Sequence, residues 1–320
     1  MRKLLALAAC GVLALGAAAC GDDDDSSGEA SADGGSVSGS IAIDGSSTVA
    51  PFAQAAQEAF QAENPDVKIT VGTAGTGGGF EKFCAGETDI SNASRPIKDD
   101  EEVPVCEKNN VVFDEVQVAN DGIAVVTNTA LKVDCLTVDE LKKMWNKGSK
   151  VKSLSEVNPK LPDTELTLFG PGTDSGTFDF FTDQINGEEG VSRDDYQPSE
   201  DDNILVQGVE GSEGGLGYFG FSYYEQNQDK LNLVGVDGGD GCVKPSTEAI
   251  QDGSYTPLSR PLFMYPSEKA LKRPEVKAFM DYVIANYSDI ATAAQIVPMT
   301  EAQAAEGKKA LETAESNAGA

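Results

Sequence analysis

The chain has 320 residues, with 24 lysines and arginines against 53 aspartates and glutamates, and its formal net charge is −29. So acidic a surface repels nucleic acid and anionic lipid, and we therefore expect no nucleic-acid partner. The sequence contains no histidine, which rules out Ser-His-Asp and Cys-His nucleophiles and removes the usual ligand of zinc sites.

The first residues are typical of a secretory leader. Arg2 and Lys3 precede an uncharged apolar run, and small residues follow it up to Cys20. This order predicts a signal peptide over residues 1–19. An uncleaved membrane anchor is the alternative, although the run is short for a membrane span.

The Ala-Ala-Cys ending at Cys20 resembles a bacterial lipobox, which makes Cys20 the candidate lipidated residue. Ala17 departs from the leucine that such boxes usually carry, while Leu7–Cys10 fits the box better but follows too short an apolar region. Residues 20–40 hold almost nothing that a core could bury, so we expect a lipidated cysteine followed by a disordered linker. The run Asp22–Asp25 could alternatively bind calcium.

A lipid anchor and a linker together predict an extracytoplasmic protein that is held at the cell membrane. The membrane would then be contacted through the lipid anchor only, since a lipidated cysteine with an attached glyceride carries enough acyl chain for stable anchoring.

From residue 41 onward, strand and helix patterns alternate. Strands are predicted at SIAID, VKITVGT, TDISNAS, VVFDEVQVA, LTLFG and LNLVGVD, and helices around Phe52–Phe60, Phe80–Phe83, Leu141–Trp145, Phe178–Ile185, from Pro274 onward and in the C-terminal segment TEAQAAEGKKALETAES. Repeated strand–loop–helix units predict an α/β protein with mainly parallel sheets. Two sheets are plausible because the folded part exceeds one comfortable α/β core.

Four cysteines remain in the folded part: Cys84, Cys106, Cys135 and Cys242. An even number in an exported chain predicts two disulfides, for which three pairings exist. We favour Cys84–Cys106 and Cys135–Cys242. A four-thiolate metal site is the alternative, but no Cys-x-x-Cys pair supports it, and we expect no metal.

Three loops follow predicted strands and precede predicted helices, at DGSSTVAPF, GTAGTGGGFEKF and GPGTDSGTFDFF. Their candidate anion donors are Ser46, Ser47, Thr48 and the Val49 N–H in the first loop, Thr76, Gly77 and Gly78 in the second, and Ser175, Gly176 and Thr177 in the third. The first N–H groups of a helix have no internal partner and carry partial positive charge, so a compact oxyanion suits them. Simple N-capping is the alternative for each loop.

The glycine-rich second loop has neither the ending of a P-loop nor the spacing G-x-G-x-x-G. No cofactor is therefore expected. SNASRPI adds Ser94 and Arg95, because arginine suits bidentate oxyanion contact, although a surface ion pair is the alternative for Arg95. Arg260 in PLSRPLF is a weaker candidate.

These loops, with SNASRPI, together resemble the phosphate-binding protein of ABC phosphate importers, the PstS type. PGTDSGTFDFF, EDDNILVQGV and GGLGYFGFSYY are similar to its cyanobacterial and actinobacterial branch. The resemblance runs from about residue 41 to residue 297, and no single motif in it is decisive.

The resemblance implies a type II periplasmic-binding fold, in which two α/β lobes close over phosphate. Lobe 1 would comprise residues 41–124 and 260–320, lobe 2 would comprise residues 125–259, and the crossovers would fall near residues 120–125 and 259–264. The family's binding positions match Thr48, Val49 and Thr76, and in the third loop Ser175, Gly176 and Thr177.

Two departures from the family pattern concern the mechanism. Ser94 stands where well-known members carry an aspartate, and Pro171 where they carry an arginine. We expect Arg95 to replace the missing guanidinium. A buried carboxylate can accept the proton of phosphate but repels sulfate, so another acceptor is needed. Asp174 is the first candidate and Asp44 the second, and either could instead cap a helix.

The resulting hypothesis is a monomeric, non-catalytic receptor that binds inorganic phosphate and delivers it to the membrane permease of an ABC importer. A receptor for sulfate, molybdate or another tetrahedral oxyanion is the alternative. An exported phosphatase is a third possibility, against which stand the absent histidine and the missing G-x-S-x-G. A structural surface protein or co-receptor without a ligand is the fourth.

Overall fold

The computed structural model describes residues 37–319. The predicted leader, Cys20 and nearly all of the predicted linker lie outside these residues. The strands are β1 (Gly39–Gly45), β2 (Val67–Val71), β3 (Ile90–Ala93), β4 (Val116–Asn128), β5 (Cys135–Thr137), β6 (Thr167–Pro171), β7 (Gln197–Ser199), β8 (Gly215–Gly220), β9 (Leu231–Asp237), β10 (Cys242–Val243) and β11 (Ser259–Pro266). The helices are α1 (Ala50–Glu63), α2 (Gly75–Cys84), α3 (Val103–Lys108), α4 (Val138–Trp145), α5 (Gly176–Phe181), α6 (Asp202–Gly211), α7 (Phe221–Glu225), α8 (Thr247–Gln251), α9 (Glu268–Leu271), α10 (Pro274–Ala285), α11 (Tyr287–Ala293) and α12 (Glu301–Gly319).

Two hydrophobic cores divide these elements into two lobes. The core of lobe 1 draws on residues 41–119 and 262–318, and a smaller cluster around Phe80 and Tyr265 adjoins it. The core of lobe 2 draws on residues 123–258 together with Val297. Each lobe therefore has its own buried interior, as expected for a chain of this length.

The sheets mix parallel and antiparallel strands. In lobe 1 the order is β2-β1-β3-β11-β4, with β1 parallel to β2 and β3, and β11 antiparallel to β3 and β4. In lobe 2, β6 is parallel to β7 and β8, while β4 is antiparallel to β8 and β9. The prediction of mainly parallel sheets is thus wrong for β4 and β11, and for β10, which pairs antiparallel with β9. The parallel strands belong to the strand–helix units, whereas β4 and β11 carry the chain between lobes in opposite directions.

Strand β4 is shared by both lobes. Its residues 116–122 pair with β11, and its residues 123–128 pair with β8 or β9. The start of β11 lies beside the middle of β4, and Arg260 is the register partner of Asp121. Strand β4 therefore runs from the sheet of lobe 1 into the sheet of lobe 2, and β11 lies beside it at the crossing.

Local sequence accounts for where the helices begin and which face they bury. Helix α1 buries Phe52, Ala56 and Phe60, which recur every four residues on one face. Helix α4 begins after Thr137, whose hydroxyl accepts from the Glu140 N–H while the Glu140 side chain accepts from the Thr137 N–H. This arrangement is a capping box, and it makes Thr137 both the last residue of β5 and the N-cap of α4.

Two predicted elements differ in extent from the structure. The helix predicted around Phe178–Ile185 changes at Phe181 into a π-helical turn over Thr182–Asn186. The Thr182 hydroxyl donates back to the Phe178 carbonyl and accepts from the Gly190 N–H, so it supports this wider turn. In VVFDEVQVA, the strand begins only at Val116.

Two disulfides close loops within the lobes. They join Cys84 to Cys106 in lobe 1 and Cys135 to Cys242 in lobe 2, which is the pairing that we favoured from the sequence. The lobe 2 disulfide closes the longer loop, with a sequence separation of 107 residues.

Among residues 37–319, no helix combines the length and the apolar character needed to cross a membrane.

The lobe 2 disulfide should contribute to the stability of its lobe. We expect Cys135→Ser/Cys242→Ser to lower the free energy of unfolding by about 2 to 5 kcal/mol, because the closed loop is long. Urea unfolding can be followed by the fluorescence of Trp145, the sole tryptophan, which lies in the lobe 2 core. An unfolding midpoint equal to that of the wild type would contradict this expectation.

Candidate functional site

Loops from both lobes meet at a cavity of about 630 Å³ beside the crossing strands. Lobe 1 lines it with the segments that precede α1 and α2 and with the segment that follows β3. Lobe 2 lines it with α5 and the residues after that helix, and the start of β11 forms part of the wall. The cavity is therefore bounded by strand-to-helix loops, where α/β proteins usually bind ligands.

The structure brings most of the sequence-predicted residues to this cavity. Those lining it are Ser46, Ser47, Thr48, Thr76, Gly77, Gly78, Ser94, Arg95, Gly176 and the weaker candidate Arg260. Val49, Asp174, Ser175 and Thr177 do not line it. The Val49 side chain is fully buried in the lobe 1 core, so only its backbone can contribute to a site.

Helices α1 and α2 both begin at the cavity without a capping side chain. The N-cap residue of α1 is Val49 and that of α2 is Ala74, and neither side chain accepts a hydrogen bond from the first turn. The partial positive charge at these helix ends is therefore not offset by a side-chain oxygen of the cap. Simple capping by Ser47, Thr48 or Thr76 does not account for the first two loops.

The hydroxyl of Thr76 joins the second loop to the segment after β3. It accepts from the Ser94 N–H at 3.2 Å and lies 3.0 Å from the Ser94 hydroxyl. Thr76 and Ser94 thus present paired hydroxyls at one side of the cavity.

The third loop differs from the other two because Ser175 caps its helix. The Ser175 hydroxyl accepts from the Thr177 N–H at 3.2 Å, as expected for an N-cap serine. Gly176 packs directly against the first loop of lobe 1. A Cβ on Gly176 would overlap the Thr48 hydroxyl and lie 2.7 Å from the Ser47 hydroxyl, so only glycine allows the two loops this approach.

Aromatic side chains hold α5 in place beneath the cavity. The ring of Phe181 stacks on Tyr218 with ring centroids 3.7 Å apart, and Trp145 packs edge-on against both rings. The third loop therefore rests on the rigid core of lobe 2.

Arg260 connects the two lobes at the cavity wall. Its Nη2 donates to the Thr48 hydroxyl at 2.7 Å and to the Gly176 carbonyl at 3.3 Å. Its Nε donates to Asp121 Oδ2 at 3.3 Å, and its guanidinium lies 3.7 Å from the ring centroid of Phe180. Burial lowers the pKa of Arg260 and the adjacent Asp121 opposes this effect, while an arginine stays charged in either case.

Arg95 also lines the cavity, but a carboxylate of its own lobe binds its guanidinium. Nη1 and Nη2 donate to the two oxygens of Glu102 at 2.8 and 2.7 Å. The hydrogen bond to Glu102 raises the pKa of Arg95. In this arrangement the positive charge of Arg95 is largely offset, which is the surface ion pair that we left open from the sequence.

The two carboxylates expected to accept a ligand proton lie elsewhere. Asp174 is exposed, and it donates its own N–H to Glu200 Oε1 at 3.3 Å. Asp44 accepts from Gly45, Ala74 and Lys82 and does not line the cavity. Neither carboxylate reaches the cavity in this structure.

A different carboxylate, Asp179, faces the cavity one turn into α5. Burial and the nearby Glu189 raise the pKa of Asp179 to about 6, although Arg260 acts in the opposite direction. This group can therefore exist in either protonation state near neutral pH, as an acceptor or as a donor.

Sequence reasoning ranked Arg260 low and missed other lining residues, among them Asp179, Phe180, Lys98, Asp183 and Glu189. One signal was present for Arg260, because the tripeptide Ser-Arg-Pro occurs at residues 94–96 and again at residues 259–261. All six residues of these two tripeptides line the cavity.

Comparison with known proteins places most of the folded region in one family. A model described as a PBP superfamily domain matches residues 30–286. The chain is 44% identical over 262 residues to "Protein SphX" of Synechococcus elongatus, covering 81% of this chain and 77% of that protein. It is 42% identical over 279 residues to "Phosphate-binding protein PstS" of Staphylococcus saprophyticus, covering 85% and 83% respectively.

Solved structures agree with these relatives. A possible phosphate-binding protein from Planctomyces limnophilus superposes with a TM-score of 0.83 at 45% identity, covering 87% of this chain and 99% of that one. A putative phosphate ABC transporter substrate-binding protein from Clostridium perfringens, solved with bound phosphate, has a TM-score of 0.58 at 28% identity, covering 82% and 100%. The chain therefore belongs to the PBP superfamily, has its two-lobed periplasmic-binding fold, and is a member of the family of PstS and SphX proteins.

Proposed function

We propose that this protein is an extracytoplasmic receptor that binds inorganic phosphate in the cavity and delivers it to the membrane permease of an ABC importer. The observation that carries this proposal is Arg260, a buried guanidinium that contacts both lobes beside two uncapped helix N-termini. Relatives named phosphate-binding proteins and a neighbour solved with phosphate support the choice of ligand. The protein makes and breaks no bond in this role.

The proposed ligands come from both lobes. Lobe 1 would supply the hydroxyls of Ser47, Thr48, Thr76 and Ser94 and the N–H groups at the starts of α1 and α2, including those of Val49 and Gly77. Lobe 2 would supply the N–H group of Gly176. The Ser175 hydroxyl, which accepts from the Thr177 N–H, would hold the start of α5 in position. Arg260 takes the guanidinium role that we expected of Arg95, because Glu102 already binds Arg95.

The cavity can attract an anion despite the net charge of −29. Helix N-termini and oriented N–H groups act over a few ångströms, whereas surface charges are screened within about 10 Å at ordinary ionic strength. Carboxylates outside the cavity are therefore screened. Asp179, Asp183 and Glu189 line the cavity, where Arg260, Arg95, Lys98 and the N–H donors oppose their charge.

Lobe closure follows from a ligand that touches both lobes. We propose that residues 41–124 and 260–320 move against residues 125–259 about the crossing strands β4 and β11. A ligand shifts this equilibrium only by binding the closed state more tightly than the open one, which donors from both sides achieve. The close approach of Gly176 to Thr48 supports a closed arrangement of the loops.

Cleavage of the signal peptide, acylation of Cys20, anchoring at the cell membrane and a monomeric state remain part of the proposal. They would hold the receptor on the outer face of the membrane, close to its permease.

Phosphate should stabilise the protein, and sulfate at equal concentration should not. Any ligand that binds only the folded state raises its melting temperature. Monohydrogen phosphate has an O–H group that can donate a hydrogen bond to a carboxylate in the cavity. Sulfate at neutral pH has no such group, so the carboxylate and the sulfate repel each other. Thermal unfolding and calorimetry with both ions measure this difference. Equal shifts would favour a general oxyanion receptor, and turnover of a chromogenic phosphate ester would indicate a phosphatase.

Removing the guanidinium of Arg260 should weaken phosphate binding by about 100-fold, because a charge-assisted contact and the charge that balances Asp121 are both lost. Arg260→Lys should restore part of the affinity, since it keeps the charge but loses the planar fork. Arg95→Met is the matched control and should have a smaller effect. Calorimetry on Arg260→Met and Arg95→Met would contradict the assignment if Arg95→Met were the more damaging change.

Sulfate binding should depend on the protonation of Asp179. Below a pH of about 6 the Asp179 carboxyl is protonated, so it stops repelling sulfate and can donate a hydrogen bond. The affinity for sulfate should therefore rise as the pH falls from 7.5 to 5, and Asp179→Asn should bind sulfate with little pH dependence. A wild-type sulfate affinity that stays flat over this range would assign the selectivity to another group.

A further inference from the structure

One carboxylate outside the cavity ties two of its loops together. Asp44 Oδ1 accepts from the Gly45 N–H at 2.8 Å and from the Ala74 N–H at 2.9 Å. Asp44 Oδ2 lies 2.5 Å from Lys82 Nζ, and only 14% of the Asp44 side chain is exposed. The same side chain thus binds the backbone of the first loop, the backbone of the second loop and the body of α2.

The two N–H groups that Asp44 binds lie at the start of the anion-facing segments. Gly45 immediately precedes Ser46–Val49, and Ala74 is the N-cap residue of α2. Gly72 makes this contact possible, because a Cβ there would lie 2.5 Å from Asp44 Cγ. The carboxylate therefore sets the spacing between the N-termini of α1 and α2.

The electrostatics of Asp44 favour a permanent structural charge. Burial acts to raise its pKa, but the hydrogen bonds from Lys82, Ala74 and Gly45 together hold that pKa below its ordinary value. Three donors already occupy its oxygens, and it does not line the cavity. Asp44 is consequently unsuited to accept a proton from a ligand, the role for which the sequence made it a candidate.

We propose that Asp44 is a positioning residue of the anion site, which holds the N–H groups of the first two loops at the separation that the ligand requires. This inference rests on the proposed function of the cavity. Donors that are already ordered bind an anion without the entropy loss of ordering the loops during binding. Greater mobility of the two loops would therefore lower the affinity without removing any direct contact to the anion.

Two measurements on purified full-length variants test the proposal. In Asp44→Ala, the dissociation constant for phosphate should rise by about tenfold or more, since charge-assisted hydrogen bonds that order two loops are lost. Amide hydrogen exchange at Ala74, whose acceptor is Asp44 Oδ1, should become faster in the same variant. Asp44→Asn and Lys82→Met both retain an acceptor for Ala74 but lose the ion pair, so both should give similar, intermediate losses.

Asp89, the residue before β3, provides a matched control because its carboxylate binds the backbone of β1, the strand that carries Asp44. Its Oδ2 accepts from the Ala42 N–H at 2.9 Å and its Oδ1 pairs with Arg273 at 2.7 Å, but Asp89 does not line the cavity. Asp89→Ala should leave phosphate affinity unchanged while lowering the melting temperature by an amount comparable to Asp44→Ala. This comparison separates positioning from general stability.

The proposal is overturned if Asp44→Ala binds phosphate as the wild type does, if exchange at Ala74 is unchanged, or if Asp89→Ala weakens phosphate binding equally. Should Asp44→Ala fail to fold, Asp44→Asn and Lys82→Met carry the same test. If the wild type itself does not bind phosphate, the proposed function fails, yet exchange at Ala74 still shows whether the carboxylate orders the loops.

Discussion

The ion pair between Arg260 and Asp121 is the interaction on which the rest of the site depends. Both side chains are largely buried and stand opposite each other on the two strands that cross between the lobes. Asp121 binds Nε, while Nη2 of the same guanidinium donates to Thr48 on one lobe and to Gly176 on the other. A buried cation with a single close counter-ion is costly unless further acceptors surround it. Under the proposed function, an oxyanion in the cavity would supply them, so the cation would favour both ligand binding and closure of the lobes.

The remaining architecture keeps this cation and the surrounding donors in place. Phe181, Tyr218 and Trp145 fix α5 in lobe 2, and Ser175 orients the start of that helix. In lobe 1 the helices α1 and α2 leave their N-termini uncapped at the cavity. Rigid elements thus present backbone donors, and in the proposed mechanism the lobes would move about the crossing strands. Rigid donors combined with a mobile connection between the lobes suit a receptor that must bind one compact anion tightly and then release it to another protein.

Much of this arrangement follows from local sequence, and the rest depends on contacts between distant residues. The three loops, the α/β class and the helices at Phe52–Phe60 and Leu141–Trp145 could be predicted, because short-range periodicity, turn residues and a motif resemblance indicate them. The two disulfides could be predicted from the even number of cysteines in a chain with a secretory leader. The antiparallel course of β4 and β11 could not be predicted, since strand direction between the lobes depends on the topology of the whole chain.

Arg95 and Arg260 occur in the same tripeptide, and only their tertiary partners distinguish them. Glu102 lies seven residues from Arg95 and binds both of its terminal nitrogens, whereas Asp121 reaches Arg260 across 139 positions of the chain and leaves its Nη2 facing the loops. Asp179 was missed for a related reason, because its distinctive property is its burial beside Glu189 and Arg260.

A crystal structure of the wild-type protein grown with phosphate tests the central claim most directly. The account predicts one phosphate between the lobes, with the Arg260 guanidinium within hydrogen-bonding distance of a phosphate oxygen and N–H or hydroxyl donors arriving from Thr48 and from the Gly176–Thr177 turn. A phosphate held by Arg95 with Arg260 still bound only to protein groups, or a phosphate that touches one lobe alone, would contradict it.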